Sequence, residues 1–166
     1  AKEWRKEVDK LTPEFLKSIF LEMFGDHKNK KKWVISKLEE QITYMTSGSR
    51  GWAEYYADQG SIFIRIQNVK NSKLILDDVQ YVKAPKTKES LRTKVNEGDL
   101  LVSITADLGR TAVVDKKTAE QGAYINQHIA LLRLKSGLNA LYSSFFLESE
   151  MGKKQLAYPI KKLTEA

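Results

Sequence analysis

The run EGDLLVSITADLGRTAVVD, residues 97–115, most narrows what this chain can fold into. It reads as strand, turn, strand, with Gly109 at the bend. Leu100, Val102 and Ile104 alternate as a half-buried strand does. SIFIRIQNV (61–69) is a second strand, β-branched and aromatic residues in succession. KLILDDVQYV (73–82) supplies two short strands that end before Pro85, and AYINQHIALLRL (123–134) a turn and a further strand. Helical patterns stand at both ends and KESLRTKV (88–95) forms a short helix between, so the expected class is α+β, a twisted multi-stranded sheet with an N-terminal helix and C-terminal helices.

In LTPEFLKSIFLEMFGD, Thr12 is placed to cap a helix, Pro13 suits its first position and Gly25 its stop. Phe15, Leu16, Ile19, Phe20, Met23 and Phe24 recur on one face. That face must pack on its own domain or on a partner helix, and Phe15, Ile19, Phe20 and Met23 are its contact residues. DHKNKKK (26–32) is a basic linker, and Trp33 marks the return to structure. WVISKLEEQITYM reads as a strand or turn entering a short helix. LNALYSSFFLESEMGKKQL (138–156) is helical, with Asn139 as cap and Gly152 as break. Three segments follow: a helical 1–25, the linker 26–32, and a domain over 33–166.

TSGSRGWAEYY (46–56) suits neither helix nor strand, since glycine costs roughly 1 kcal/mol against alanine inside a helix. Flexible loops on a rigid scaffold are where recognition residues concentrate. The formal net charge is +7, which favours polyanionic partners. Only 6 of the 28 basic residues are arginines, so each is informative: a guanidinium makes bidentate contacts to phosphate or guanine. The candidate nucleic-acid contacts on these grounds are Ser47, Ser49, Arg50, Trp52, Tyr55, Gln67, Asn68, Asn126 and Gln127. Hydroxyls and arginines suit phosphates and base edges, amides suit adenine, and aromatics pack the loop or stack on bases.

Catalysis finds little material. There are no cysteines, hence no disulfide, thiolate zinc site or cysteine nucleophile, which fits a reducing, cytoplasmic setting. His27 and His128 share no metal-ligand spacing, no phosphate-binding glycine loop is present, and no metal, cofactor or catalytic residue is expected. A metal-dependent nuclease would draw on Asp115 and Lys117 with Asp99, although Asp26 and Lys28 match the same pattern by chance. No apolar run nears the roughly 18 residues of a membrane helix.

The blocks TSGSRGWAEYYADQGSIFIRIQNV, LDDVQYV, EGDLLVSITADLGRTAVV and AYINQHIALLRL, in that order and spacing, resemble the target recognition domain of type I restriction-modification specificity subunits. FLEMFGD with its linker and Trp33 resembles the helix leading into such a domain. The resemblance runs from about Leu11 to Ala166. It implies a non-catalytic module that binds one half of a split target in double-stranded DNA, with Arg65, Thr105 and Arg110 added to the DNA-binding candidates, beside a methyltransferase subunit that modifies adenine and a motor-nuclease subunit. The family continues into a proline-rich segment and a second long helix, whereas this sequence ends at IKKLTEA, as a truncated form or a natural half-subunit. The first helix is then expected to bury its apolar face within the molecule or in a homodimer. Two other readings are an assembly module for the methyltransferase subunits and the nuclease above.

Overall fold

The computed structural model describes residues 11–12, 15–16, 18–25, 32–105 and 107–156. The chain divides into two compact units, Ala1–Ser36 and Lys37–Ala166.

In the first unit, α1 spans 18–24, and 11–12 and 15–16 are helical as well. Thr12 thus lies in helix rather than at its cap. Gly25 ends α1 in the left-handed region, with φ +87° and its N–H donating to the Leu21 carbonyl at 2.8 Å. Phe20 is buried and its ring stands 4.9 Å from that of Phe24, which in turn lies 6.1 Å from Trp33. Ile19 is half-buried, while Phe15 and Met23 are more than half exposed, so the apolar face is only partly covered within the chain. Trp33, Val34 and Ile35 are exposed and outside any regular element. Of the expected basic linker, 26–31, with Asp26, His27 and Lys28, lies outside the described residues, as does Pro13.

The second unit is α+β. A 3₁₀ turn at Leu38–Gln41 leads directly into β1 (Ile42–Ser47). ITYM is therefore strand where a helix was expected: β-branched Ile42 and Thr43 and aromatic Tyr44 favour a pleat once a partner is available. That partner is β10 (Ile129–Leu134), antiparallel, which also pairs β7 (Leu100–Ser103), and β7 pairs β8 (Thr111–Val113). The first sheet thus has the order β1-β10-β7-β8. A second sheet joins β2 (Tyr56–Ala57), β6 (Gln80–Val82), β3 (Ser61–Ile64) and β9 (Ala123–Ile125), with β3 and β9 parallel. β4 (Val69–Lys70) and β5 (Lys73–Leu74) form a hairpin whose two loop residues, Asn71 and Ser72, both have positive φ, as a type I′ turn requires.

The central strand β7 is buried throughout, not on alternate residues. Leu101 joins a core of Ile62, Ile64, Val95, Ile125 and Leu131, while Leu100 and Val102 pack with Leu132 and Leu147 on the other face. Ile104, expected to continue the alternation, lies beyond the strand and is exposed.

The expected helix in KESLRTKV is α2 (Lys88–Thr93), capped by Thr87, and α3 (Lys116–Gln121) is capped by Asp115. α4 (Ala140–Glu148) starts at Asn139, whose side chain accepts from the Tyr142 N–H at 3.0 Å, as expected. Its break is at Ser149, in extended conformation, and not at Gly152, which sits inside the helical segment 150–156. A Cβ at Gly152 would overlap the Phe146 carbonyl and the Leu147 backbone, so glycine is there for close approach. The buried Glu148 carboxylate fastens α4 to the sheet by accepting from the N–H groups of Ser72 (3.2 Å) and Thr111 (2.9 Å) and from the Thr111 hydroxyl (3.0 Å).

Candidate nucleic-acid interface

Four loops meet at one end of the second unit, because the ends of β1, β3, β7 and β9 lie side by side there. Ser49, just past β1, bridges to Asn126, just past β9. The Asn126 N–H donates to the Ile64 carbonyl at the end of β3 (3.1 Å). Ile104, just past β7, donates to the His128 carbonyl (3.0 Å), and the Thr105 hydroxyl lies 2.7 Å from His128 Nδ1. Segments 47–52, 65–68, 104–105 with 107–110, and 126–128, distant in sequence, are thereby brought to one edge.

The glycine-rich loop is not loose. Gly48 donates to the Ile129 carbonyl (3.0 Å) and lies so close to Ile125 and Asn126 that no side chain fits. Trp52 is buried, its ring stacked 5.2 Å from Phe63 and 5.0 Å from Tyr124, with Tyr55 at its edge. Its indole N–H donates to the Ser49 hydroxyl at 2.9 Å. Trp52 is therefore the loop's anchor and not a surface for stacking bases. Burial also raises the pKa of the Tyr124 phenol beside it.

Two amides expected at the interface face inward as well. Asn68 is 2 % exposed; its carbonyl oxygen accepts from the Arg65 N–H (2.9 Å), and its amide nitrogen donates to the carbonyls of Ile75 (2.8 Å) and Asp78 (2.9 Å). Asn126 is buried, with its side-chain oxygen accepting from the His128 N–H at 3.2 Å. Both close turns, the ordinary work of Asn in loops.

The remaining candidates other than Tyr55, which packs on Trp52, lie at the edge. Ser47, Gln67 and Thr105 are exposed; Ser49, Tyr55, Arg65, Arg110 and Gln127 are half-buried. Gln127 Nε2 stands 3.0 Å from His128 Nε2. With its amide oxygen turned inward, Gln67 accepts from Arg65 Nη2 at 3.2 Å.

The five described arginines separate sharply. Arg65 pairs with Asp78 (3.0 Å), Arg110 with Asp107, Arg92 with Glu89, and Arg133 with the buried Asp99 (2.8 Å). Arg50 alone among them is exposed on the loop without an ion-pair partner among the described residues. Arg92 was not singled out by sequence. Its Nη1 donates to the Thr46 hydroxyl and to the Ser47 carbonyl (2.6 Å), so it reaches from α2 onto the base of the loop. The only signal available was Glu89 three positions before it, a helical pairing distance. Hydrogen bonds from Arg92 and then Ser49 lower the pKa of Glu89.

The two aspartates of the nuclease reading, Asp115 and Asp99, have structural roles. Asp115 accepts from the Thr118 N–H (2.8 Å) and hydroxyl (2.9 Å) as a helix cap. Asp99 takes both guanidinium arms of Arg133 and also the Asn96 N–H (2.7 Å). Among the described residues no group of three His, Cys, Asp or Glu could hold a metal, and no helix is long and apolar enough to cross a membrane.

No protein-family model matches the chain, and no curated protein matches it in sequence. Solved structures do match. One, from work on complex assembly and conformational transition of the type I R-M system, is 20 % identical with a TM-score of 0.60, over 93 % of this chain and 38 % of that one. Another, the HsdS subunit from Thermoanaerobacter tengcongensis, is 21 % identical with a TM-score of 0.57, over 91 % and 37 %. This chain thus spans less than two fifths of either, and what it shares with them is the fold.

Proposed function

We propose that this chain recognises one half of a bipartite target in double-stranded DNA, as a non-catalytic specificity component of a type I restriction-modification system. On this reading it acts in the cytoplasm, and partner subunits carry out adenine methylation and restriction. The observation that carries the reading is Arg50: an exposed guanidinium without an acidic partner among the described residues, held on a pinned loop amid three other loops of polar side chains. A guanidinium presented in this way suits bidentate contact with guanine or phosphate. Ser47, Ser49, Tyr55, Arg65, Gln67, Thr105, Arg110 and Gln127 complete the contact set. The fold shared with chains of the type I R-M system supports the same reading. Selection of bound duplexes from a random pool tests it. A short enriched motif that persists as salt rises is expected; binding that collapses in salt without enrichment overturns sequence reading. Arg50→Ala relaxes preference at one position if Arg50 reads a base, and weakens all duplexes alike if it holds a phosphate.

A second role, in assembly, is favoured by the first unit, where Phe15, Leu21, Val34 and Ile35 are 50 % exposed or more. Phe15→Asp is expected to abolish association with a methyltransferase subunit, or self-association, and to leave DNA binding intact. Phe20, being buried, would report on folding instead.

A further inference from the structure

We infer that Arg92 is a positioning residue for DNA readout, latching the base of the 46–52 loop so that Arg50 is presented in one place. The inference rests on the DNA-reading function proposed above. Three fastenings act on this loop. At its start, Arg92 Nη1 holds Thr46 and the Ser47 carbonyl. In its middle, Gly48 is packed against the backbone of Ile125 and Asn126. At its end, the buried Trp52 indole N–H holds the Ser49 hydroxyl. The rest of the Arg92 fork is occupied: Nε donates to Glu89 Oε2 at 3.1 Å and Nη2 to Oε1. The Arg92 backbone is fixed too, since its carbonyl accepts from the Tyr44 hydroxyl at 3.0 Å. Arg92 therefore has its charge met by Glu89 and its donors aimed at the loop, which is the arrangement of a brace rather than of a phosphate contact. Arg50 stands between the fastenings, followed by Gly51 in the left-handed region (φ +83°), so its own peptide is shaped by what is held on either side. Holding a contact group in its bound geometry before binding reduces the ordering cost of association.

A double-mutant cycle decides the matter, with affinities measured for the enriched duplex and for a scrambled one. Arg92→Ala is expected to lower the ratio of the two affinities about tenfold, the size of one good bidentate base contact. Arg92→Lys is expected to do the same, because one ammonium cannot replace the fork. In the Arg50→Ala background, Arg92→Ala is expected to change the ratio no further, since its effect passes through Arg50. Additive losses, or equal weakening of both duplexes with a shallower salt dependence, would overturn the positioning role. Should Arg92→Ala fold poorly, Glu89→Gln keeps the shape, weakens the pair and is expected to lower the ratio in the same direction. A wild-type chain that discriminates no duplex overturns the DNA-reading function itself. Amide exchange over 46–51 then tests the latch alone: faster exchange in Arg92→Ala supports it, and unchanged exchange overturns it.

Discussion

The backbone of Gly48 lies against the carbonyl of Asn126 so closely that a methyl group would overlap it. This contact joins the end of β1 to the β9–β10 turn, and the loop edge is built on it. Gly48→Ala is expected to cost about 3 kcal/mol, lowering Tm by roughly 6–12 °C, because backbone rather than a movable side chain must yield. Gly51→Ala is the control: its Cβ would meet nothing within 4 Å, and the positive φ alone costs about 1 kcal/mol. Thermal unfolding of the two variants checks the contrast.

Asn68 and Gln67, adjacent in sequence, should behave oppositely. Asn68→Ala removes three hydrogen bonds, taking the side-chain acceptor from the Arg65 N–H and the side-chain donor from the Ile75 carbonyl, which predicts a loss of about 2–4 kcal/mol in denaturant unfolding. Gln67→Ala, at an exposed position, is expected to change stability by less than about 0.5 kcal/mol.

The Asp99–Arg133 pair is set in the structured body. Asp99 is 1 % exposed, and pairing with it holds Arg133 above its usual pKa. Arg133→Met leaves a buried carboxylate with only the Asn96 N–H, and a loss on the order of 3 kcal/mol is expected in urea unfolding. Asp99→Asn with Arg133→Met is expected to recover part of that loss, because the stranded charge has gone.

Asp115 gives a pH signature. The Thr118 N–H, chiefly, lowers its pKa below the usual carboxylate range. A depressed folded-state pKa means that the cap's extra stability is present above the unfolded value and is lost as pH falls through the folded one. Asp115→Ala should cost about 1 kcal/mol at neutral pH. Asp115→Asn should keep most of the cap and flatten that part of the stability–pH curve on the acid limb, from the unfolded carboxylate pKa down through the lowered folded one, measured by unfolding at a series of pH values.

The strands were legible where the local pattern and the tertiary outcome agree: 61–64, 100–103, 111–113 and 129–134 all fall in runs rich in β-branched or aliphatic residues. Both Asn139 and Gly25 announced helix ends by their own chemistry. β1 was not legible, because its strand character depends on β10, far along the chain. Trp52, Asn68 and Asn126 pointed outward in sequence because a loop aromatic and a loop amide suit DNA as well as they suit a buried turn; only the neighbours in space decide. For Arg50 and Arg92 the residue type is the same, and what separates them is Glu89.

The pairing of β1 with β10 sets a clock. Thr43 and Arg133 are joined across 90 positions of sequence. At ordinary synthesis rates of about 5–20 residues per second, β1 leaves the ribosome roughly 5–20 s before its sheet partner β10 exists. Through that interval the segment 42–47, with exposed Met45 in it, has no β10 to pair with. Non-local closure of this kind makes for slow folding, and the 47–52 part of the loop edge, which leaves the end of β1, waits on it.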